Sequence, residues 1–320
     1  MTDLAGDPRP LQEVLEKALG PHPSPPANLL RLSAGATSAI WSFEYGDPPT
    51  GYILRVAAQG SNRVPISTEA AAMEAARSAG VPVPPILTAG DDSDPFGRPY
   101  MIMQRIEGET LARHILRDEE FAGARTNFAG QCGRILARLR TTDQQDVPGL
   151  AYDDQLDRWT EILRLTDAPV PTFEWALRYL QRERPPENDP TVVHGDFRLG
   201  NLIVGPEGVR AVLDWELVHL GDPMEDLGWL CARPWRFRGP KPVGGMGEYT
   251  DLLDAYEKES GIQVDIDQLR WWEVFATLRW GIICLLQAAR HLTGSERSVE
   301  LATIGRRVAE TELDLLDCVP

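Results

Sequence analysis

The chain has 320 residues, 42% hydrophobic and 8% aromatic, which is enough for one large or two modest cores and too apolar for a disordered chain. Its net charge of −16 excludes broad binding to nucleic acid or to an anionic membrane, because both need a cationic face. Four dispersed cysteines (Cys132, Cys231, Cys284, Cys318) form no CxxC pair, and the N-terminus carries acids where a secretion signal needs cations, so a reducing cytoplasm is the expected compartment.

The elements follow from periodicity. Leu11, Val14, Leu15, Ala18 and Leu19 share one stripe and predict an amphipathic helix over 10–19. LLRLS (29–33), SAIWSFEY (38–45) and GYILRVA (51–57) read as three strands of an antiparallel meander. The alanine-rich 66–79 is a helix that stops at Gly80. PPILTAG and RPYMIMQR add two more strands, giving five with one inserted helix by residue 107.

Beyond Gly108 the pattern turns helical, over 110–117, 119–142, 152–166 and 172–184. Two short strands, NLIVG and AVLDW, then flank a Pro-Glu-Gly turn, and 234–247 is a Pro/Gly-rich loop. Helical spacing returns over 268–291. Its most apolar stretch, Trp280 to Ala289, is too short for the roughly 18 residues that a membrane span needs. The expected fold is α+β, with a small antiparallel-sheet lobe over 1–107 and a larger helical lobe over 108–320.

The chemistry concentrates in VVHGDFRLGNLIVGPEGVRAVLDWELVHLGDPMEDL (192–227). Phosphoryl transfer from ATP needs a phosphate cradle, a cation, oxygen ligands for Mg²⁺, and a carboxylate to orient the acceptor hydroxyl. Asp196, just after an apolar strand, suits the catalytic base. Asn201 and Asp214 offer the hard oxygens that Mg²⁺ prefers. An isolated loop aspartate is more often a turn former or a helix cap; three such residues around one predicted hairpin argue otherwise.

HGDFRLGN (194–201), VLDWE (212–216) and LGDPMEDL (220–227) resemble the signature of the aminoglycoside phosphotransferase-like family. They are most similar to the branch related to acyl-CoA dehydrogenase-linked kinase-like domains. The resemblance implies a protein-kinase-like two-lobe fold with ATP in the cleft, Asp196 as the catalytic Asp, and Asn201 and Asp214 as metal ligands. It places Arg198 either beside the transferring phosphate or in a salt bridge that fixes the loop. His194 is expected to pack and orient that loop, Asp222 to brace the turn after Asp214, and Asp226 to hydrogen-bond the catalytic loop. Glu216 either touches a second metal or the substrate, or ends a strand in solvent.

The kinase pattern calls for a lysine on the third strand. The chain has only Lys17, Lys241 and Lys258, and Arg55 stands at the expected place. Arginine can grip phosphate bidentately, so the replacement is chemically workable. Glu69 is its first-choice partner and Glu74 the second. Gly35, Thr37 and Ser38 fall in the expected phosphate loop, and Met103, Gln104 and Ile106 in the connector that would hold the adenine.

For the acceptor, the resemblance allows an aminoglycoside or other antibiotic and a hydroxyacyl-CoA-like metabolite. RPWRFRGPK concentrates Arg233, Arg236, Arg238 and Lys241 within nine residues. Bordering the acceptor cleft, this loop would repel a polycation and attract an anion; otherwise its arginines pair with surface acids. The leading expectation is an ATP- and Mg²⁺-dependent O-phosphotransferase acting on a small hydroxylated molecule. The alternative is a nucleotide-binding module without transfer, which the missing lysine would suit. The sequence leaves the choice between ATP and GTP and the oligomeric state open.

Overall fold

A computed structural model describes residues 7–33, 38–57, 64–91 and 95–319. The chain runs α1 (Arg9–Leu19), β1 (Ala27–Ser33), β2 (Ser38–Tyr45), β3 (Thr50–Ala57), α2 (Ile66–Ser78), β4 (Ile86–Gly90) and β5 (Tyr100–Gln104). These five strands form one antiparallel sheet in the order β1-β2-β3-β5-β4. The side-chain period of two divides β3 between two environments. Leu54 and Val56 join Leu11, Val14, Leu15, Trp41 and Phe43 in a core under α1. Ile53 and Arg55 take the other face, toward α2 and the cleft.

The helical lobe follows with α3 (Ala112–Arg117), α4 (Ala122–Arg140), α5 (Gln155–Leu165) and α6 (Pro171–Arg182). Next come β6 (Thr191–Val193), β7 (Leu202–Gly205), β8 (Gly208–Val212), β9 (His219–Gly221), α7 (Met224–Cys231), α8 (Tyr249–Ser260), α9 (Ile266–Leu292), α10 (Val299–Gly305) and α11 (Val308–Cys318). The helix α9 carries the long apolar stripe; it packs on α7 and on the two last helices, burying Trp271, Val274, Phe275, Leu278 and Ile282. The core is continuous from α2 through α4 to α9. No described helix is long and apolar enough to cross a membrane.

Three boundaries differ from the sequence reading. The helix expected over 119–142 opens with a 3-10 turn, Glu119–Phe121, and becomes α-helical only from Ala122. The helix expected from 152 starts at Gln155, because the Asp154 side chain accepts from the Asp157 N–H and caps it, while Tyr152 bridges to Leu220. The strand β9, absent from the sequence reading, pairs with β6 and ties the Asp214 loop to the strand that leads into Asp196.

Candidate active site

The strand β6 delivers the chain into a tight loop at His194, Gly195 and Asp196. Gly195 has φ +80°, and a Cβ there would lie 2.6 Å from the Leu217 carbonyl oxygen, so the turn needs glycine. Both of its flanking N–H groups are held by Asp226 of α7. Asp226 Oδ2 accepts from the His194 N–H at 2.8 Å and Oδ1 from the Gly195 N–H at 3.0 Å. Burial pushes the Asp226 carboxyl above its ordinary range, against the pull of these two donors.

His194 is fully buried. Its Nδ1 accepts from the Asp196 N–H at 3.1 Å, which leaves Nε2 as the protonated nitrogen that donates to the Leu213 carbonyl at 2.9 Å. This neutral tautomer links the Asp196 loop to the residue just before Asp214. The side chain orients the loop and does not reach into the cleft.

Asp196 has its carboxylate fixed by three donors. Oδ1 accepts from Trp229 Nε1 at 2.7 Å and from Arg198 Nε at 3.0 Å, and Oδ2 accepts from Asn201 Nδ2 at 2.6 Å. With two donors on Oδ1, Oδ2 is the oxygen that keeps a lone pair for an incoming hydroxyl. Arg198 itself packs over the Trp235 ring, 4.5 Å from its centroid. Of the two roles open to Arg198, the salt bridge to Asp196 is the one present here.

Asn201, at the end of a 3-10 turn (Leu199–Asn201), gives both of its amide hydrogen bonds to Asp196, to the carbonyl and to the carboxylate. Its amide oxygen is therefore the atom left for a cation. Asp214 sits just past β8 with φ +64°, a left-handed conformation that aspartate tolerates better than most residues. Its Oδ1 lies 3.8 Å from Arg55 Nη1. Arg55 is held from the other side by Glu69 of α2, and their side chains are only 11% and 3% exposed. Burial pushes the Glu69 carboxyl up, opposed by the Arg55 guanidinium. Glu74, the second choice from sequence, pairs instead with Arg77 at the surface.

A cleft of about 550 Å³ between the sheet and the helical lobe gathers these groups. Ser38, Arg55, Glu69, Met103, Gln104, Ile106, Asn201, Asp214 and Glu216 all line it. Gly35 and Thr37 lie outside the described residues. Its size suits a nucleotide-sized ligand. The oxygen donors fit a magnesium ion that keeps waters and shares phosphate oxygens, since Asn201 and Asp214 supply one amide and one carboxylate oxygen. Among the described residues no group of three or more His, Cys, Asp or Glu converges into an all-protein metal cage.

The arginine-rich loop divides. Arg233 and Arg236 do not serve the cleft. Arg233 binds Asp314 and Asp317 of α11, and Arg236 binds Glu273 of α9 together with the Cys231 carbonyl. Acids brought from distant helices have neutralised them. Among the described residues, Arg238 alone of the three arginines is exposed without such a carboxylate partner.

Sequence reasoning missed three residues that hold the loop. Trp229 grips Asp196, and Trp235 supports Arg198. Arg279 of α9 donates to the Gly195 carbonyl at 2.8 Å and to Glu225 at 2.9 Å. The signal was a tryptophan-rich run after Asp226 and an arginine inside an apolar helix.

A five-stranded antiparallel sheet set on a mostly helical lobe, with a cleft between them, is a protein-kinase-like fold. The chain belongs to the phosphotransferase enzyme family, whose model matches residues 28–272. Mouse acyl-CoA dehydrogenase family member 10 is 32% identical over 242 residues, 69% of this chain and 22% of that protein. Chicken acyl-CoA dehydrogenase family member 11 is 27% identical over 345 aligned positions, 95% of this chain and 43% of that protein. The chain thus spans less than half the length of these relatives. Among solved structures, a candidate aminoglycoside phosphotransferase from Ralstonia eutropha JMP134 matches with a TM-score of 0.76 at 24% identity, over 98% of both chains. A ternary complex of the aminoglycoside phosphotransferase APH(4)-Ia with AMP-PNP and hygromycin B matches with a TM-score of 0.65 at 17% identity, over 97% of both.

Proposed function

We propose that the protein is an ATP- and Mg²⁺-dependent O-phosphotransferase acting on a hydroxyl group of a small molecule. The observation that carries this reading is the convergence of two polar groups on one cleft. Glu69 holds Arg55, Arg55 approaches Asp214, and Asn201, which lines the same cleft, grips Asp196.

In this reading the donor nucleotide lies under the sheet, with the backbone of Met103, Gln104 and Ile106 toward its base and Ser38 and Arg55 toward its phosphates. Glu69 keeps the Arg55 guanidinium directed at the non-transferred phosphates. Asn201 and Asp214 would hold the magnesium ion, which when bound neutralises charge on the phosphate chain. Asp196 Oδ2 accepts the proton of the acceptor hydroxyl. The hydroxyl oxygen forms a bond to the γ-phosphorus as the bond from that phosphorus to the leaving diphosphate breaks. Arg198, which neutralises Oδ1, keeps the carboxylate oriented. Glu216, which lines the cleft, would meet the acceptor.

The test is a phosphorylation assay scored by mass spectrometry over aminoglycosides, macrolides and hydroxyacyl-CoAs, beside an Asp196→Ala control. Transfer to at least one hydroxyl, abolished in the control, is expected. Saturating Mg²⁺ and AMP-PNP are expected to raise the melting temperature, and Asp214→Asn to remove the Mg²⁺-dependent part. No stabilisation and no binding heat in the wild type would sink the reading.

A further inference from the structure

Away from the nucleotide cleft, a second cavity of about 500 Å³ opens between α3, the start of α4 and the loop after Trp235. Its walls carry Arg117, Arg125, Arg238 and Lys241, with Phe237 and Met246 as the apolar part, and no described Asp or Glu lines it. In a chain of net charge −16 such a surface is exceptional. Elsewhere the arginines of this loop are neutralised, as Arg233 and Arg236 are. Arg125 spends Nη1 on the carbonyls of Ile115 and Asp118, so its charge is oriented but not cancelled by that contact. Lys241 meets one half-exposed acid, Glu248, at 3.3 Å, outside the cavity lining.

The loop that presents these cations is built, not slack. Phe237 and Arg238 are successive non-glycine residues in the left-handed region, φ 48° and 67°, a conformation that costs energy and tends to mark functional segments. Gly239 and Gly245 pack so closely that a Cβ on Gly239 would lie 2.2 Å from the Gly245 carbonyl oxygen. A relay of three contacts links the cavity wall to Asp196. The Phe237 ring lies 6.4 Å from that of Trp235, Trp235 supports Arg198 at 4.5 Å, and Arg198 binds Asp196 at 3.0 Å.

We propose that this cationic cavity holds a phosphate-bearing portion of the acceptor, so that the acceptor is an anionic hydroxylated compound and not a polycation. The assignment to the acceptor rests on the phosphotransferase reading above. Guanidinium groups match phosphate oxygens in a planar, bidentate way, and the Phe237 and Met246 surface takes an apolar neighbour of the phosphate.

The test uses inorganic pyrophosphate in Mg²⁺-free buffer as the probe, with binding measured by calorimetry on four proteins. These are the wild type, Arg117→Ala/Arg238→Ala, Arg55→Ala, and Arg164→Ala/Arg178→Ala as a charge-matched control on another surface. Affinity is expected to fall about tenfold or more in the first double variant, less in Arg55→Ala, where only pyrophosphate at the nucleotide site is lost, and to hold in the charge-matched control. Equal binding by all four, or none to the wild type, overturns the proposal, as does equal loss in the charge-matched control. Mg²⁺ and AMP-PNP affinity, measured on the same proteins, is expected to be unchanged in Arg117→Ala/Arg238→Ala. Pyrophosphate binding in a wild type that takes no AMP-PNP would leave the anion site standing and overturn the phosphotransferase reading instead. In turnover, matched polyols with and without a phosphate ester complete the test. Transfer confined to the esters, with a raised KM in the double variant, supports the assignment. Equal transfer to the neutral or to cationic members defeats it.

Discussion

Trp229 Nε1 donates a 2.7 Å hydrogen bond to Asp196 Oδ1. The indole is almost fully buried, and the guanidinium of Arg279 stands 4.3 Å from its centroid. A cation over the ring face draws electron density toward itself and makes the indole N–H a better donor. The bond therefore does two things: it occupies Oδ1, which under the proposed function leaves Oδ2 for the acceptor, and it limits the swing of the carboxylate.

Trp229→Phe keeps most of the ring volume and removes the donor. A hydrogen bond to a charged group contributes about 1.5–3 kcal/mol, so kcat is expected to drop roughly tenfold to a hundredfold. AMP-PNP affinity and the KM for nucleotide are expected to stay near wild type, because Trp229 does not line the nucleotide cleft. Steady-state kinetics beside a nucleotide titration would decide it, and a change confined to nucleotide KM would contradict the role.

Arg55 gives a second prediction. Arg55→Ala leaves Glu69 buried without its cation, which costs about 3–5 kcal/mol in comparable buried pairs. Nucleotide affinity should fall with stability. Arg55→Lys restores the charge but offers no planar fork to reach Glu69 and a phosphate together. It is expected to recover most of the melting temperature and less of the nucleotide affinity. Differential scanning calorimetry with and without AMP-PNP separates the two effects; equal recovery of both would argue against a phosphate contact by Arg55.

The donor side of the site was legible in sequence because its residues are fixed locally. Asp196, Asn201 and Asp214 are set by a turn, a hairpin and a strand end, and their spacing survives folding. Arg55 was legible through the family resemblance, which calls for a cation at its place on the third strand, where the chain has no lysine. Glu69 could be preferred to Glu74 because it begins the helix that follows β3. Trp229, Trp235 and Arg279 were not legible, since each reaches its partner across a distance in the chain that only tertiary packing closes. Arg279 is 84 residues from Gly195. For the basic loop the alternative reading, arginines paired with acids, holds at two of its positions: Asp314 and Asp317 of α11 meet Arg233 and Glu273 of α9 meets Arg236, although which acids arrive is decided only by tertiary packing.

His219 supplies a pH prediction. Both ring nitrogens face acceptors: Nδ1 the Leu217 carbonyl at 2.8 Å and Nε2 the Glu225 carboxylate at 3.0 Å. The doubly protonated imidazolium satisfies both. Burial pulls its pKa down and the Arg279 charge works in the same direction, but Glu225 and the hydrogen bonds outweigh them and raise it above the ordinary value near 6.5. A group whose folded pKa is raised contributes stability that is fully present below the unfolded pKa and lost as pH rises through the folded one. The melting-temperature gap between wild type and His219→Gln should therefore be largest below pH about 6.5 and shrink toward alkaline pH. A gap that grew with pH would reverse the sign and refute the assignment.

Arg279 joins stability and turnover, and the two can be separated. Its side chain is 3% exposed and that of Glu225 is 2% exposed; one guanidinium arm binds Glu225 and the other the Gly195 carbonyl. Arg279→Met leaves His219 as the remaining partner of the buried Glu225 charge, at a cost of up to about 3–5 kcal/mol, or roughly ten degrees in melting temperature for a chain of this size. Arg279→Lys keeps a cation for Glu225, but a single ammonium cannot span both acceptors as the fork does. That variant is expected to lose only a few degrees while kcat falls, because Gly195 sits directly before Asp196 and its carbonyl is left untethered. The nucleotide KM should move little. If kcat in Arg279→Lys tracked melting temperature alone, so that assay well below the transition restored full turnover, Arg279 would be a stabilising residue and nothing more. If kcat stayed low far below the transition, the buried fork is what holds the Asp196 loop in register with the cleft.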